Sequence, residues 1–112
     1  MRDGLYASIE RELLAWPGVE KETGKFGRFD VTIFTVGRRQ IGHIHHDGVA
    51  DLQFPRSIHD ELIAAGRAEP HRGGFAAVVS YRLRRPDDVP GVVKLFRMSH
   101  ERAVATTRSS AV

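Results

Sequence analysis

The sequence predicts an α+β domain, with an antiparallel sheet of four to five strands and helices packed mainly on one face, in the order helix, strand meander, helix, strand, helix. Three observations lead there. Apolar residues recur at helical spacing around Ile9, Ile58 and Phe96. Runs of period-two alternation lie between these stripes, punctuated by the turn signals of Gly37 and of Asp47-Gly48. The chain has 112 residues, enough for one hydrophobic core.

Asp3 to Trp16 reads as the first helix, with Tyr6, Ile9, Leu13 and Trp16 on its inner face and Glu10, Arg11 and Glu12 facing water. Pro17-Gly18 stops it. Glu20, Lys21 and Glu22 are exposed, as in a short edge strand, and Thr23-Gly24-Lys25 reads as a turn. Phe29, Val31 and Ile33 alternate with Arg28, Asp30 and Thr32, the pattern of a half-buried strand. After the turn at Val36 to Arg39, Gln40–His46 and Val49–Phe54 form the next two strands of the meander. Pro55 opens a second helix, where its missing N–H costs nothing; Ile58, Leu62 and Ala65 are its buried stripe and Gly66 its stop. Ala68 to His71 is extended, Arg72-Gly73-Gly74 is a loose loop, and Ala76–Leu83 is a strand that alternates Val79, Tyr81 and Leu83 with Val78, Ser80 and Arg82. Pro86-Asp87-Asp88 opens the last helix, its acids favourable near the positive end, with Val89, Val92, Val93, Phe96 and Ala103 facing the core. One domain is expected over residues 1–104, followed by a disordered tail over 105–112.

Composition narrows the chemistry. The absence of cysteine excludes disulfides, thiolate zinc sites and thiol nucleophiles. No apolar leader and no membrane-length apolar run is visible, so a cytoplasmic location is expected. The formal charge is +3, and arginine greatly outnumbers lysine, as a GC-rich bacterial genome would produce. The cations are dispersed among acids, with Arg38-Arg39 and Arg82, Arg84 and Arg85 the densest groups, so nucleic acid is a possible but not favoured partner. No nucleophile elbow and no phosphate-binding glycine pattern occurs.

The chemistry concentrates in the run from Ile41 to Pro55, which holds His43, His45, His46, Asp47 and Asp51. Side chains alternate along a strand, so His43 and His45 share a face. Hairpin register decides their company. A two-residue turn at Asp47-Gly48 puts Asp51 on the other face, beside His46; a three-residue loop brings Asp51 onto the face of His43 and His45, the better arrangement for acid–base or metal chemistry. Three readings stay open: semi-buried structural histidines, a polar pocket for a small molecule, or a metal site. Two strand histidines supply only half a tetrahedral shell, with Asp51, His71 or His59 as possible further ligands. Trp16 reads as a core anchor, His59 as solvated, His100 as favouring the end of its helix, and Ser80 as a structural strand serine.

Three segments resemble a known family: Arg39 to His45 through Asp51-Leu52-Gln53-Phe54-Pro55, Ile58 to His71, and Val79-Ser80-Tyr81 through Leu95 to Arg102. They are similar to the small bacterial and fungal luciferase domain family, over roughly Trp16 to Arg102. The resemblance points to Gly42, His43, His45, Asp51, Pro55 and His71 as the positions to carry over, and implies no reaction, light emission included. Where the family often has Trp-Val-Ser in the last strand, this chain has Val78-Val79-Ser80, which implies a smaller or looser pocket. The order of elements also resembles YjbR-like domains, whose shape is proposed to suit nucleic acid.

The expectation is therefore a single-domain protein that binds an unidentified small molecule through His43, His45 and Asp51, with His71 at the rim. If it is an enzyme, a histidine acts as general base and Asp51 orients it. The alternative is a nucleic-acid-binding domain that uses Arg38, Arg39, Arg82, Arg84 and Arg85. No cofactor and no metal is assigned, and the oligomeric state is open.

Overall fold

The computed structural model of the protein describes residues 2–110. The elements are α1 (Arg2–Leu14), β1 (Val19–Phe26), β2 (Phe29–Val36), β3 (Arg39–His45), β4 (Val49–Gln53), α2 (Arg56–Ala64), β5 (Glu69–Pro70), β6 (Val78–Arg82) and, after a short 3₁₀ turn, α3 (Val89–Ser110). The fold is α+β. All strand pairings are antiparallel, and the six strands run in the order β1-β2-β3-β4-β6-β5.

Six strands stand where four to five were expected. β5, the short Glu69–Pro70 stretch, pairs with β6 and closes one edge. At the other edge β1 is a full eight-residue strand, rich in charge, which blunts pairing with another chain. Thr23-Gly24-Lys25, expected as a turn, lies inside β1. The turn is at Gly27-Arg28, between the paired residues Phe26 and Phe29, where Gly27 takes a positive φ of 63°. Gly24 pairs with Val31 inside the strand, closely packed: a Cβ there would lie 3.4 Å from the Ile33 and Val31 side chains.

Directly paired residues share a sheet face. One face carries Phe34 opposite Gly42, Ile44 opposite Ala50, and Leu52 opposite Val79. These residues join Ile9, Leu13 and Trp16 of the first helical segment, Leu62 of α2, and Val92, Leu95, Phe96 and Ala103 of α3 in one core. The helices thus cover this face. Phe34 and Phe96 meet edge to face, with ring centroids 5.5 Å apart. Gly42 is where β3 passes closest to α3, since a Cβ there would lie 2.6 Å from the Phe96 ring.

A bulge shapes β3. Phe34 pairs with Gly42 but Thr35 with Gln40, so Ile41 is an extra residue in the ladder. Its carbonyl is satisfied from α3, where the buried Ser99 Oγ–H donates to Ile41 O at 2.7 Å.

His100 is in the middle of α3, not near its end as expected. It is buried against Trp16 and its Nε2 donates to Pro17 O at 3.0 Å. The helix continues beyond residue 104 to Ser110, so the expected boundary falls within it; Ala111 and Val112 of the expected tail lie outside the described residues. Among the described residues no helix is long and apolar enough to cross a membrane.

Candidate functional site

The β3–β4 hairpin adopts the three-residue loop. His45 pairs with Val49, Ile44 with Ala50 and His43 with Asp51, so His46, Asp47 and Gly48 form the connection. Gly48 has φ 101° and its N–H returns to His45 O at 3.0 Å. Asp51 therefore shares a face with His43 and His45. Ser80 of β6 pairs directly with Asp51 and joins them there. This is the sheet face opposite the helix-covered core. His46 is elsewhere, stacked on Tyr6 with its Nε2 2.9 Å from Thr32 Oγ1.

The bulge at Ile41 places Gln40 opposite Thr35, on the same face as the histidines. Its Oε1 accepts the Nδ1–H of His43 at 2.7 Å. From the sheet edge, β5 delivers His71 to this face. Its loop is better fastened than a loose connection. Gly73 N–H donates to His71 Nδ1 at 2.9 Å, Gly74 N–H donates to His71 O at 2.9 Å, and Arg72 pairs with Asp47 at 3.1 Å. Gly73 lies so close under the imidazole that a Cβ would approach His71 Cε1 to 2.9 Å.

Asp51 is the hub. It is only 2% exposed. Its Oδ1 accepts from Ser80 Oγ–H at 2.6 Å. Its Oδ2 faces three imidazole nitrogens: His45 Nε2 at 2.9 Å, His71 Nε2 at 3.4 Å and His43 Nε2 at 3.6 Å. The His43 and His45 rings meet edge-on, with centroids 4.8 Å apart. Burial by itself raises the pKa of a carboxyl; here the neighbouring His43, Ser80 and His45 side chains outweigh it and hold Asp51 well below the usual carboxylate range. The carboxylate is thus ionised at neutral pH. The three imidazoles keep an outlet to solvent, with 18%, 12% and 16% of the His43, His45 and His71 side chains exposed.

All four residues singled out in the sequence, His43, His45, Asp51 and His71, meet at this one point. Gln40 is the partner that sequence reasoning missed. Its place depends on a bulge, and no residue pattern in β3 announces one. Ser80, read as a structural serine, is the hydroxyl that holds the far oxygen of Asp51. His59 is half-buried on α2 with Nδ1 2.8 Å from Asp60 Oδ1, away from the cluster. Trp16 is a core residue, as expected, with the Arg97 guanidinium 5.2 Å above its ring.

The basic groups of the alternative reading do not form one surface. Arg38 and Arg39 line a cavity of about 530 Å³ together with Arg102, Gln40 and Gln53. Arg82, Arg84 and Arg85 line another, of about 340 Å³, with Arg67, Glu69 and Asp88. The strand register separates the two: Arg39 begins β3 near the end of β4 and the start of β6, whereas Arg82 ends β6 opposite the start of β4. Arg82 is also engaged by Glu69 at 3.4 Å.

No curated protein and no solved structure matches the chain. The family model described as the luciferase domain matches residues 38–99, more than half of the chain. The match is narrower than the expected Trp16 to Arg102, but it contains every member of the cluster, Gln40 and Ser80 included. The likeness to YjbR-like domains finds no support in these comparisons. With the hairpin, the Asp51 hub and the Pro70-His71 edge all inside the matched stretch, the chain belongs to the luciferase domain family.

Proposed function

We propose that the domain binds a small polar molecule at the cluster of His43, His45, Asp51 and His71. The observation that carries this reading is the convergence of three imidazoles on one buried, ionised carboxylate, on the sheet face that the helices leave uncovered. A structural histidine needs one partner. This arrangement concentrates far more polar chemistry than packing requires, and perturbed titratable groups cluster at functional sites. Asp51 orients the His45 ring through its Nε2–H, and Gln40 orients His43 through its Nδ1–H. A bound molecule would meet imidazoles of fixed tautomer, able to give or take a hydrogen bond or a proton.

The test is a screen of small carboxylic acids, amides and amines against the ¹⁵N-labelled chain in metal-free buffer, read at the histidine side chains. Binders are expected to shift His43, His45 and His71 together and to lose affinity in Asp51→Asn. Binders that shift only the arginine cavities, or no binder at all, contradict the reading.

One observation favours a second reading. The cavity of Arg38, Arg39 and Arg102 has no acidic lining residue, which suits a phosphate. Nucleic-acid binding there would weaken steeply with salt, and Arg39→Gln would reduce the salt dependence by about one ion per site. Fluorescence anisotropy of a labelled RNA or DNA at several salt concentrations checks it.

A further inference from the structure

We propose that His43 Nε2, His45 Nε2 and Asp51 Oδ2 form a binding site for one divalent first-row transition-metal cation, with His71, Gln40 and Ser80 as the groups that orient the ligands. The inference rests on the reading above only in placing the ligand at this cluster.

Spacing favours a cation. One ligand atom from each of His43, His45 and Asp51 can be chosen so that all lie within 4.8 Å of one another. Bonds of about 2.0–2.2 Å to a tetrahedral cation set its donors about 3.3 Å apart. The two Nε2–Oδ2 separations, 2.9 and 3.6 Å, bracket that value.

Nitrogen is also crowded at this oxygen. A carboxylate oxygen offers two lone pairs, yet Asp51 Oδ2 faces three imidazole nitrogens, at 2.9, 3.4 and 3.6 Å. A cation held by His43, His45 and Asp51 would relieve this crowding and leave His71 as the donor to the carboxylate.

The rings also divide by role. Gln40 Oε1 accepts the Nδ1–H of His43, so in the neutral ring Nε2 is the nitrogen able to ligate. An oriented outer hydrogen bond of this kind is how ligating histidines are held. His71 is the opposite case. Its Nδ1 accepts Gly73 N–H, so the neutral ring carries its proton on Nε2 and serves Asp51 as a donor instead of a ligand. His45 now donates Nε2–H to Asp51, and binding would exchange that proton for the cation. Ser80 holds the other oxygen of the carboxylate. The result is a set of two histidines and one carboxylate on a partly open sheet face. That leaves coordination positions for water or a small molecule, as in catalytic rather than structural metal centres.

The experiment is titration of the chelator-treated, untagged full chain with Co²⁺, followed by visible absorption, and with Zn²⁺, followed by calorimetry. One equivalent is expected to saturate the protein. His43→Gln and Asp51→Asn are each expected to weaken binding by about 100-fold or more, and His71→Gln by about 10-fold, the usual range for an outer-sphere partner. His59→Gln should bind like the parent chain. Should a variant fail to fold, the parent chain alone decides: Co²⁺ must broaden the ring signals of His43 and His45 before those of His59 and His100. Absence of saturable binding, binding that survives both His43→Gln and Asp51→Asn, or broadening centred on His59 overturns the proposal. If no metal binds while small molecules still shift the imidazoles in metal-free buffer, the metal inference falls and the binding site stands. If metal saturates the cluster and no small molecule does, the reverse holds.

Discussion

Asp51 shows why the identity of single residues matters here. Its pKa is depressed in the folded chain although burial opposes this, so folding favours the ionised form. Asp51→Asn keeps the shape and removes the charge. It weakens the bonds from Ser80 and His45 at once, and a loss of about 2 kcal/mol in stability at pH 7 is expected by urea denaturation of the metal-free chain. Gly42 carries a different burden. In sequence it reads as part of a Gly-His-x-His motif, yet its role is in packing: a Cβ there would lie 2.6 Å from Phe96 and 3.0 Å from Leu52, both fully buried. Gly42→Ala is expected to cost about 1–3 kcal/mol in chemical denaturation through overpacking, while a fragment binder, once found, still reaches the histidines.

At the scale of elements, hydrogen bonds at strand irregularities and helix starts decide where the site residues go. The bulge in β3 turns Gln40 toward His43 and leaves the Ile41 carbonyl for Ser99 to satisfy. Ser99→Ala leaves that buried acceptor unpaired, and a loss of about 1–3 kcal/mol is expected from thermal or urea unfolding. The 3₁₀ turn that leads into α3 is capped by Asp88, whose Oδ2 accepts the backbone N–H of Arg84 at 2.8 Å and of Arg85 at 3.0 Å. These bonds hold its carboxyl below the usual carboxylate range. A carboxyl depressed on folding contributes stability above its unfolded pKa of about 3.9, and the contribution disappears as pH falls through the folded value. Asp88→Asn is therefore expected to be less stable than the parent chain at pH 7, with the gap closing below pH 4, as measured by unfolding midpoints across pH.

At the scale of the whole molecule, the sequence spoke most clearly where periodicity speaks. The three helices, the meander and the alternation of Val79 and Tyr81 with Ser80 are legible because burial on one side imposes a period on the residues. The site was half legible. His43 and His45 share a face in any strand. Whether Asp51 joins them depends on one residue of loop length, and Asp47-Gly48 suits both loops, so the two registers could only be named side by side. What stayed hidden was non-local. Glu69–Pro70 counts as a strand only because β6 lies beside it, Gly24 is set in β1 by its pairing with Val31, and the ring of His71, at Asp51, is also held by Gly73.

Whether Asp51 organises three imidazoles into one site is read most directly from the ¹⁵N spectrum of the histidine side chains at pH 8 in metal-free buffer. Separate fixed tautomers are expected: Nδ1–H for His43 and Nε2–H for His45 and His71, with the His45 preference lost in Asp51→Asn and that of His71, set by Gly73 N–H, retained. Three rings in free tautomeric exchange, unchanged by Asp51→Asn, would contradict it.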